Sequence, residues 1–237
     1  MIDDFLDYPL FDLKGIRHLS DIEKLIDNGD SFGVKFYFFD DIILKKVKSI
    51  TEAILLKSGF PHYIDLLYNG MKEIIINGLK ANLKRVIFKK NDISLDKPKS
   101  IEKGMKLFKE FIVTHDSDTI ETLLKDNGYV LIIYFFMLEN GLKIEVLNNS
   151  ELTGFEEKRI REKFKRAMQY KSLIEYIEAE GEDQLEGAGL GLFLFVLMLR
   201  EMGINPANFR VGRFTDGFTV SRIEIPFNEN YCGKRDN

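Results

Sequence analysis

The segment "GYVLIIYFFMLENGLKIEVLNNS", residues 128 to 150, constrains the fold of this chain more than any other stretch. Two apolar runs flank the dipeptide Asn140-Gly141. Asn-Gly between such runs is a strong signal for a tight β-hairpin, because both residues accept the backbone conformation that the turn needs. The segment therefore predicts two antiparallel strands, and with them a sheet against which the other elements pack.

Two other stretches add strands to this prediction. The aromatic segment "FGVKFYFFD", residues 32 to 40, partly alternates, as a half-buried strand does. Near the C-terminus, residues 208 to 227 predict two strands around Asp216-Gly217, which would form a second hairpin.

Helical patterns fill most of the chain between these strands. Residues 44 to 58 are compatible with a strand or a helix, and the helix is favoured, with Gly59 as its stop. Residues 63 to 88 repeat apolar positions at helical spacing, as one helix or as two that join near Gly70. The remaining helical segments are 20 to 29, with Ser20 as its N-cap, 100 to 128 as two helices, and 154 to 180.

Groups of helices and antiparallel strands indicate an α+β protein in which helices cover one face of a sheet. The 237 residues suit one large domain, or one domain with an appendage. The net charge of −4 offers no basic surface for nucleic acid, so we expect no nucleic-acid partner.

Three features predict a cytoplasmic protein that does not enter a membrane. The most apolar stretches, "YVLIIYFFML" and "LGLFLFVLML", have ten residues each, against roughly 20 needed to cross a bilayer. The N-terminal segment is acidic, whereas a signal peptide begins with basic residues. Cys232 is the single cysteine, so it has no internal disulfide partner, and a reducing compartment is expected.

The helical segment "EIIINGLKAN", residues 73 to 82, places three polar side chains close together. Glu73 and Asn77 are four residues apart and share one helical face, and Lys80 follows three residues later. Such a group is suited to holding hydrated Mg²⁺ and a phosphate, because Mg²⁺ prefers oxygen ligands and keeps several waters. The carboxylate would orient or deprotonate a water. The alternative is an ordinary solvated helix face, since this spacing also occurs by chance.

A glycine-rich stretch near the C-terminus, "EGAGLGLFLFVLMLREMG", residues 186 to 203, is the second candidate motif. Gly187, Gly189 and Gly191 allow a backbone to approach a ligand without a Cβ clash. The N–H groups at the start of the following helix would bind an anion. The alternative is a flexible hinge before a buried helix.

Together and in this order, the two motifs resemble the GHKL ATPase superfamily, and within it the ATP-binding domain of histidine kinases. "EIIINGLKAN" is similar to the N box of that family, and "GAGLGL" is similar to its second glycine box. The closing "DGFTVSRIEIP" resembles the final hairpin of the family, which ends in a strand that runs into proline. The resemblance covers approximately residues 63 to 227.

The resemblance implies a two-layer α/β sandwich of the Bergerat type, with a mixed, mostly antiparallel sheet and helices on one face. ATP would lie between the N-box helix and a lid formed by residues 154 to 190. Asn77 would bind Mg²⁺, Glu73 would be the general base, and Lys80 would contact phosphate. The lid end would supply backbone N–H groups for the phosphates from Gly187, Gly189, Leu190 and Gly191.

The first glycine box departs from the family pattern D-x-G-x-G. In "IEVLNNSELTG", Asn148 or Asn149 stands where the adenine-binding Asp is expected, and Ser150 replaces the first glycine. An asparagine oxygen still accepts a hydrogen bond from the adenine amino group, so Asn148 is the predicted adenine ligand. Asn149 and Ser150 are equally compatible with a turn at the end of a strand.

No histidine matches the phosphoacceptor site of a histidine kinase. His18, His62 and His115 each lack part of the expected sequence context or lie in the wrong place in the chain. Each is better interpreted as a surface or cap histidine, so the sequence does not support a kinase that phosphorylates itself.

These observations predict three regions. Residues 1 to 60 are an N-terminal extension, residues 61 to 230 are the ATP-binding domain with a helical insertion at about 90 to 127, and residues 231 to 237 are a flexible tail. The first hypothesis is a Mg²⁺-dependent ATP-binding protein, which leaves hydrolysis and a role in signalling open. One alternative is a degenerate scaffold that acts through protein contacts of the insertion. Another is a kinase that phosphorylates a partner protein, and the oligomeric state stays open.

Overall fold

The computed structural model describes residues 7–94, 98–180, 190–214 and 217–233. Six strands in these ranges form one mixed sheet in the order β1-β2-β3-β4-β6-β5. β1 pairs with β2 in parallel, and the other neighbours pair antiparallel. The strands are β1 Leu10–Asp12, β2 Phe32–Phe36, β3 Leu131–Leu138, β4 Gly141–Asn148, β5 Phe209–Arg213 and β6 Thr219–Pro226.

Eight α-helices lie within the described residues, and those that meet the sheet pack on one of its faces. They are α1 Ser20–Asn28, α2 Asp41–Lys57, α3 Ile64–Lys90, α4 Pro98–Thr114, α5 Ser117–Asp126, α6 Gly154–Gln169, α7 Leu173–Glu180 and α8 Leu190–Glu201. The predicted α+β class, a sheet with helices on one face, is therefore confirmed. Among the described residues, no helix combines the length and apolar character that crossing a membrane requires.

Both predicted hairpins are present. β3 and β4 pair from Leu138↔Gly141 to Leu131↔Asn148, so Asn148 lies at the last paired position of its strand. β5 and β6 also pair antiparallel, and Gly217 adopts a left-handed φ of 81° between them. Asp216, the other predicted turn residue, lies outside the described residues.

Between Ser20 and Lys57 the structure differs from one predicted helix cap, and it decides between a strand and a helix for residues 44 to 58. Ser20 is already the first residue of α1, and the capping position is Leu19, whose side chain makes no cap hydrogen bond. The predicted Ser20 N-cap is therefore wrong. Residues 44 to 58 are helical, because the Asp40 side chain accepts a hydrogen bond from the Ile43 N–H at 2.8 Å and starts α2 there.

The long helix α3 is continuous through Gly70. A Cβ at Gly70 would lie only 2.2 Å from a ring carbon of Phe195 on α8. Glycine at this position therefore serves close helix packing and does not break the helix. This contact places α3 and α8 side by side over the sheet.

The two helices predicted between residues 100 and 128 are α4 and α5, and they form a small core of their own with the C-terminal half of α3. Phe88 of α3, Phe108 of α4 and Leu124 of α5 are buried there. The helical pair is therefore attached to α3 through a core of its own.

The opposite face of the sheet carries aromatic and charged side chains. Tyr134 and Phe136 are buried in a small cluster on this face. Beside them, Arg222 Nε lies 2.6 Å from Oε1 of the buried Glu145. The sheet therefore has an apolar side under the helices and a partly ionic side facing away from them.

Candidate functional site

The polar face of α3 brings two of the predicted site residues into contact. Asn77 Nδ2 donates a hydrogen bond to Glu73 Oε1 at 2.9 Å. Glu73 is partly buried, while Asn77 is exposed one turn later. The amide is thereby oriented, and in the described part of the chain its Oδ1 has no hydrogen-bond partner. This oxygen is therefore available to a cation or a water.

The start of α8 lies directly against Glu73. A Cβ at Gly191 would be 2.2 Å from Glu73 Cδ and 2.4 Å from Oε2, so no side chain fits there unless the carboxylate moves. The N-terminal end of a helix carries free N–H groups and partial positive charge, which favour anions. The arrangement places a carboxylate, an amide oxygen and a helix N-terminus within one small region.

The other residues of the glycine segment contribute less. Leu190 begins α8, whereas Gly187 and Gly189 lie outside the described residues. Of the predicted glycine contacts, the structure therefore places only the one at Gly191 beside the polar face of α3.

Lys80 lies on α3 and is exposed. Within the described ranges it forms no hydrogen bond or ion pair, so its ammonium group is not held by Glu73 or Asn77. It lies near the two site residues on the helix without a fixed contact to them.

A second cation, Lys163 on α6, lies within electrostatic range of the same carboxylate. Burial and the nearby Arg159 lower the pKa of Lys163, and the charge of Glu73 opposes that shift. Lys163 is partly buried, and sequence spacing alone offers no signal that it approaches Glu73.

Asn148 lies beneath α3 at the end of β4. It is 7% exposed, and a Cβ at Gly78 would stand 3.6 Å from its own Cβ. Its Nδ2 donates to Ser150 Oγ at 2.6 Å and to Asn82 Oδ1 at 3.3 Å. Asn148 is thus adjacent to the helix that carries Glu73 and Asn77.

Asn149 has a different role from its neighbour. Its Oδ1 accepts from the Val130 N–H at 2.8 Å, and its Nδ2 donates to the Gly128 carbonyl at 2.6 Å. The side chain therefore joins the end of β4 to the segment that leads into β3. Of the two candidates for the position of the expected aspartate, Asn148 is the one that lies against α3.

Two buried polar residues near Asn148 were missed by sequence reasoning. Asn82 is fully buried on α3, and Thr219 is opposite Asn148 in the β4–β6 register. Thr219 Oγ1 donates to the Ser150 carbonyl at 2.6 Å. The available signal for Asn82 was its position at the end of "EIIINGLKAN", on the side of the helix that carries apolar residues.

An ionic clamp fixes α6 to α3 at the edge of this region. Glu156 accepts from Lys84 Nζ at 2.5 Å and from Arg85 Nη1 at 3.1 Å. It also completes a capping box with Thr153 at the start of α6. Burial raises the pKa of Glu156, but the hydrogen bonds and charges of Arg85 and Lys84 outweigh it and lower the value to about 2.

The three histidines lie outside the candidate site. Each is exposed. His62 packs beside the Tyr63 ring at 4.1 Å, and His115 stacks on Phe111 at 3.8 Å near the end of α4. These positions are those of surface histidines at helix ends.

The donor set limits what the site can hold. Within the described residues, no three His, Cys, Asp or Glu side chains converge in the manner of a closed metal site. A hydrated Mg²⁺ needs fewer protein ligands when phosphate oxygens complete its shell, and Asn77 Oδ1 beside Glu73 fits that requirement. The region is thus suited to a ligand that brings its own anionic oxygens.

Comparison with known proteins shows similarity in sequence to a protein whose role its description does not give. An uncharacterized protein of Treponema pallidum (strain Nichols) is 30% identical over 220 residues. The match covers 93% of this chain and 42% of the relative, so the chain spans less than half the length of that protein. No family model matches the chain. No solved structure matches it either.

Proposed function

We propose that this chain is a Mg²⁺-dependent ATP-binding domain of the histidine-kinase-like type in the GHKL superfamily. The observation that carries the proposal is the contact between Gly191 and Glu73. The two segments that resemble the N box and the second glycine box are far apart in the chain, and this contact joins them. A helix N-terminus beside a carboxylate and an amide oxygen supports the binding of a triphosphate with its Mg²⁺ ion.

The surrounding architecture supports the same proposal. The sheet is mixed and mostly antiparallel, and α3 lies over the end of the strand that carries Asn148. A base bound near Asn148 and phosphates bound near Asn77 would therefore both lie along one face of α3. The charge of Lys163 adds a positive group on the side where phosphates would be.

Each residue would have a separate task. Asn77 would hold the Mg²⁺ ion, which neutralises phosphate charge when bound. The first turn of α8 would bind phosphate oxygens through backbone N–H groups, and Lys80 and Lys163 would add electrostatic attraction. Asn148 Oδ1 would accept the amino group of adenine.

Hydrolysis is the part of the proposal that depends on Glu73. Its carboxylate would orient a water and accept a proton from it, as a general base does. Lys163 is close enough to Glu73 for their charges to interact, so phosphate binding would compete for the lysine and free the carboxylate.

A non-enzymatic scaffold is the second candidate, and the helical pair α4–α5 favours it. Val113 of α4 is 85% exposed and its neighbour Ile112 is 38% exposed, at the end of the pair. Exposed apolar side chains at one place suit a protein contact. This function would not need nucleotide.

Calorimetry with and without Mg²⁺ separates the two candidates. Wild-type protein is expected to bind ATP only with Mg²⁺, and Asn77→Ala is expected to weaken that binding at least about tenfold. Asn127→Ala is the matched control, because Asn127 is an exposed asparagine at the end of α5. Failure of wild-type protein to bind ATP at millimolar concentrations would contradict the ATP-binding proposal and leave the scaffold.

A further inference from the structure

The fully buried amide of Asn82 has a fixed orientation. Its Nδ2 lies 3.2 Å from the Val130 carbonyl oxygen. A carbonyl oxygen only accepts hydrogen bonds, so the atom facing it must be the NH₂ group. Asn82 Oδ1 therefore points the other way, and it is an acceptor too.

This orientation determines the orientation of Asn148. Because Asn82 presents an oxygen at 3.3 Å, the atom of Asn148 that faces it must be Nδ2. The same Nδ2 donates to Ser150 Oγ at 2.6 Å, which uses its second proton. Asn148 Oδ1 is then the remaining polar atom, and within the described residues it has no hydrogen-bond partner.

The fixed orientation matters because an asparagine side chain presents either of two chemistries. A carboxylate offers only acceptors, whereas a freely rotating amide offers an acceptor in one orientation and two donors in the other. An asparagine that binds a base edge is therefore selective only if its surroundings hold the amide one way.

We propose that Asn82 is a positioning residue that fixes the Asn148 amide with its oxygen toward the ligand, and so makes the site select a purine with an amino group at position 6. The inference rests on the proposed function and names the substrate class within it. Adenine donates from its amino group to Oδ1. Guanine would place a carbonyl oxygen there, which leaves two acceptors facing each other with neither satisfied.

The test is the ratio of the dissociation constants of MgATP and MgGTP. Wild-type protein is expected to prefer ATP at least about tenfold. In Asn82→Leu the amide of Asn148 is free to rotate by 180°. The affinity for MgATP is therefore expected to fall and the affinity for MgGTP to rise, so that the ratio of the two dissociation constants moves about tenfold toward unity. If Asn82 contributed only to stability, its replacement would lower the affinities for both nucleotides by the same factor and leave the ratio of the dissociation constants unchanged.

Rescue by a carboxylate gives a sharper readout. The double variant Asn82→Leu with Asn148→Asp is expected to regain the preference for ATP, because aspartate presents an acceptor in either orientation. Thr51→Val is the control for loss of a buried polar group, since Thr51 is fully buried on α2 and its hydroxyl donates to the Val47 carbonyl. Its nucleotide ratio is expected to equal that of wild-type protein.

Asn82→Ala keeps the inference testable if Asn82→Leu does not fold. It also removes the oxygen that faces Asn148 Nδ2, so the ratio is expected to move in the same direction. An unchanged ratio in a folded variant would overturn the role of Asn82, and so would equal binding of ATP and GTP by wild-type protein. Binding of neither nucleotide by wild-type protein would overturn the proposed function and this inference with it.

Discussion

Gly191 is the residue at which the two motifs meet. A Cβ there would overlap the end of the Glu73 side chain, which is flexible and partly exposed. The substitution Gly191→Ala therefore moves the carboxylate more than it strains the backbone. We therefore expect Gly191→Ala to change ligand binding at the site strongly and the stability of the fold only slightly.

We predict that Gly191→Ala lowers ATP affinity about tenfold and changes the free energy of unfolding by less than ~1 kcal/mol. Calorimetry and urea unfolding measure the two quantities. Gly212→Ala is the matched control, because a Cβ at Gly212 on β5 meets nothing within 4 Å. Equal ATP affinity in both variants would show that the Gly191 contact has no role in binding.

Lys163 gives the second prediction at the residue scale. Burial and Arg159 disfavour its charge, as its lowered pKa indicates, so the folded protein holds an ammonium group at some cost in stability. Lys163→Met is therefore expected to leave the free energy of unfolding unchanged or raised, while ATP affinity falls about tenfold. Lys165→Met, an exposed lysine on the same helix, is the control. A loss of stability in Lys163→Met without a loss of ATP affinity would show that Lys163 contributes to the fold and not to binding.

Single residues also show the limits of sequence reasoning. Glu73 and Asn77 were predicted to meet because a helix brings residues four apart together. Gly191 packs against Glu73, and Lys163 interacts with its charge, from other elements, and no local spacing encodes either approach. The prediction of Ser20 as N-cap was wrong by one residue. Leu19 occupies the capping position with φ −81° and ψ 6°, and Ser20 is already the first residue of the helix.

At the scale of elements, the clamp between α3 and α6 determines how one wall of the site is held. Glu156 joins Lys84 and Arg85 to the first turn of α6, and its side chain is 18% exposed. Because the pKa of Glu156 falls from 4.5 to about 2 on folding, the ionised carboxylate favours the folded state. The clamp is therefore complete above pH 4.5 and is lost as the pH falls toward 2.

Glu156→Gln is predicted to lower the free energy of unfolding by about 3 kcal/mol at neutral pH. The difference from wild-type protein should shrink as the pH falls from about 4.5 toward 2, since the wild-type carboxylate is then protonated. Urea unfolding at a series of pH values measures it. Glu162→Gln, on the exposed side of α6, should show neither effect. A difference that stays constant down to the lowest pH would exclude the ionic clamp.

Elements were predictable where their signals are local. The Asn140-Gly141 hairpin and the helix at 63 to 88 follow from turn chemistry and apolar spacing, and both are present. β1 was missed because a strand of three residues has too few positions to show alternation. The strand predicted over residues 32 to 40 is shorter in the structure. β2 ends at Phe36, and Asp40 is already the N-cap of α2.

At the scale of the whole molecule, the fold brings together parts that the sequence keeps apart. The sheet places Asn148 under α3, and α8 packs on α3 with Gly191 of its first turn at Glu73 and Phe195 at Gly70. The order of strands and the approach of α8 depend on long-range packing, which composition and spacing do not encode. The residues of the two motifs were therefore predictable, while Asn82, Lys163 and Thr219 required the assembled structure.

We expect ATP to lie along the polar face of α3, from Asn148 to Gly191. A crystal structure with Mg²⁺ and a non-hydrolysable ATP analogue tests it most directly. We expect phosphate oxygens at the first turn of α8, the metal ion on Asn77 Oδ1, and the adenine amino group donating to Asn148 Oδ1. An analogue bound elsewhere on the molecule, or an empty site in crystals soaked at millimolar analogue, would contradict it.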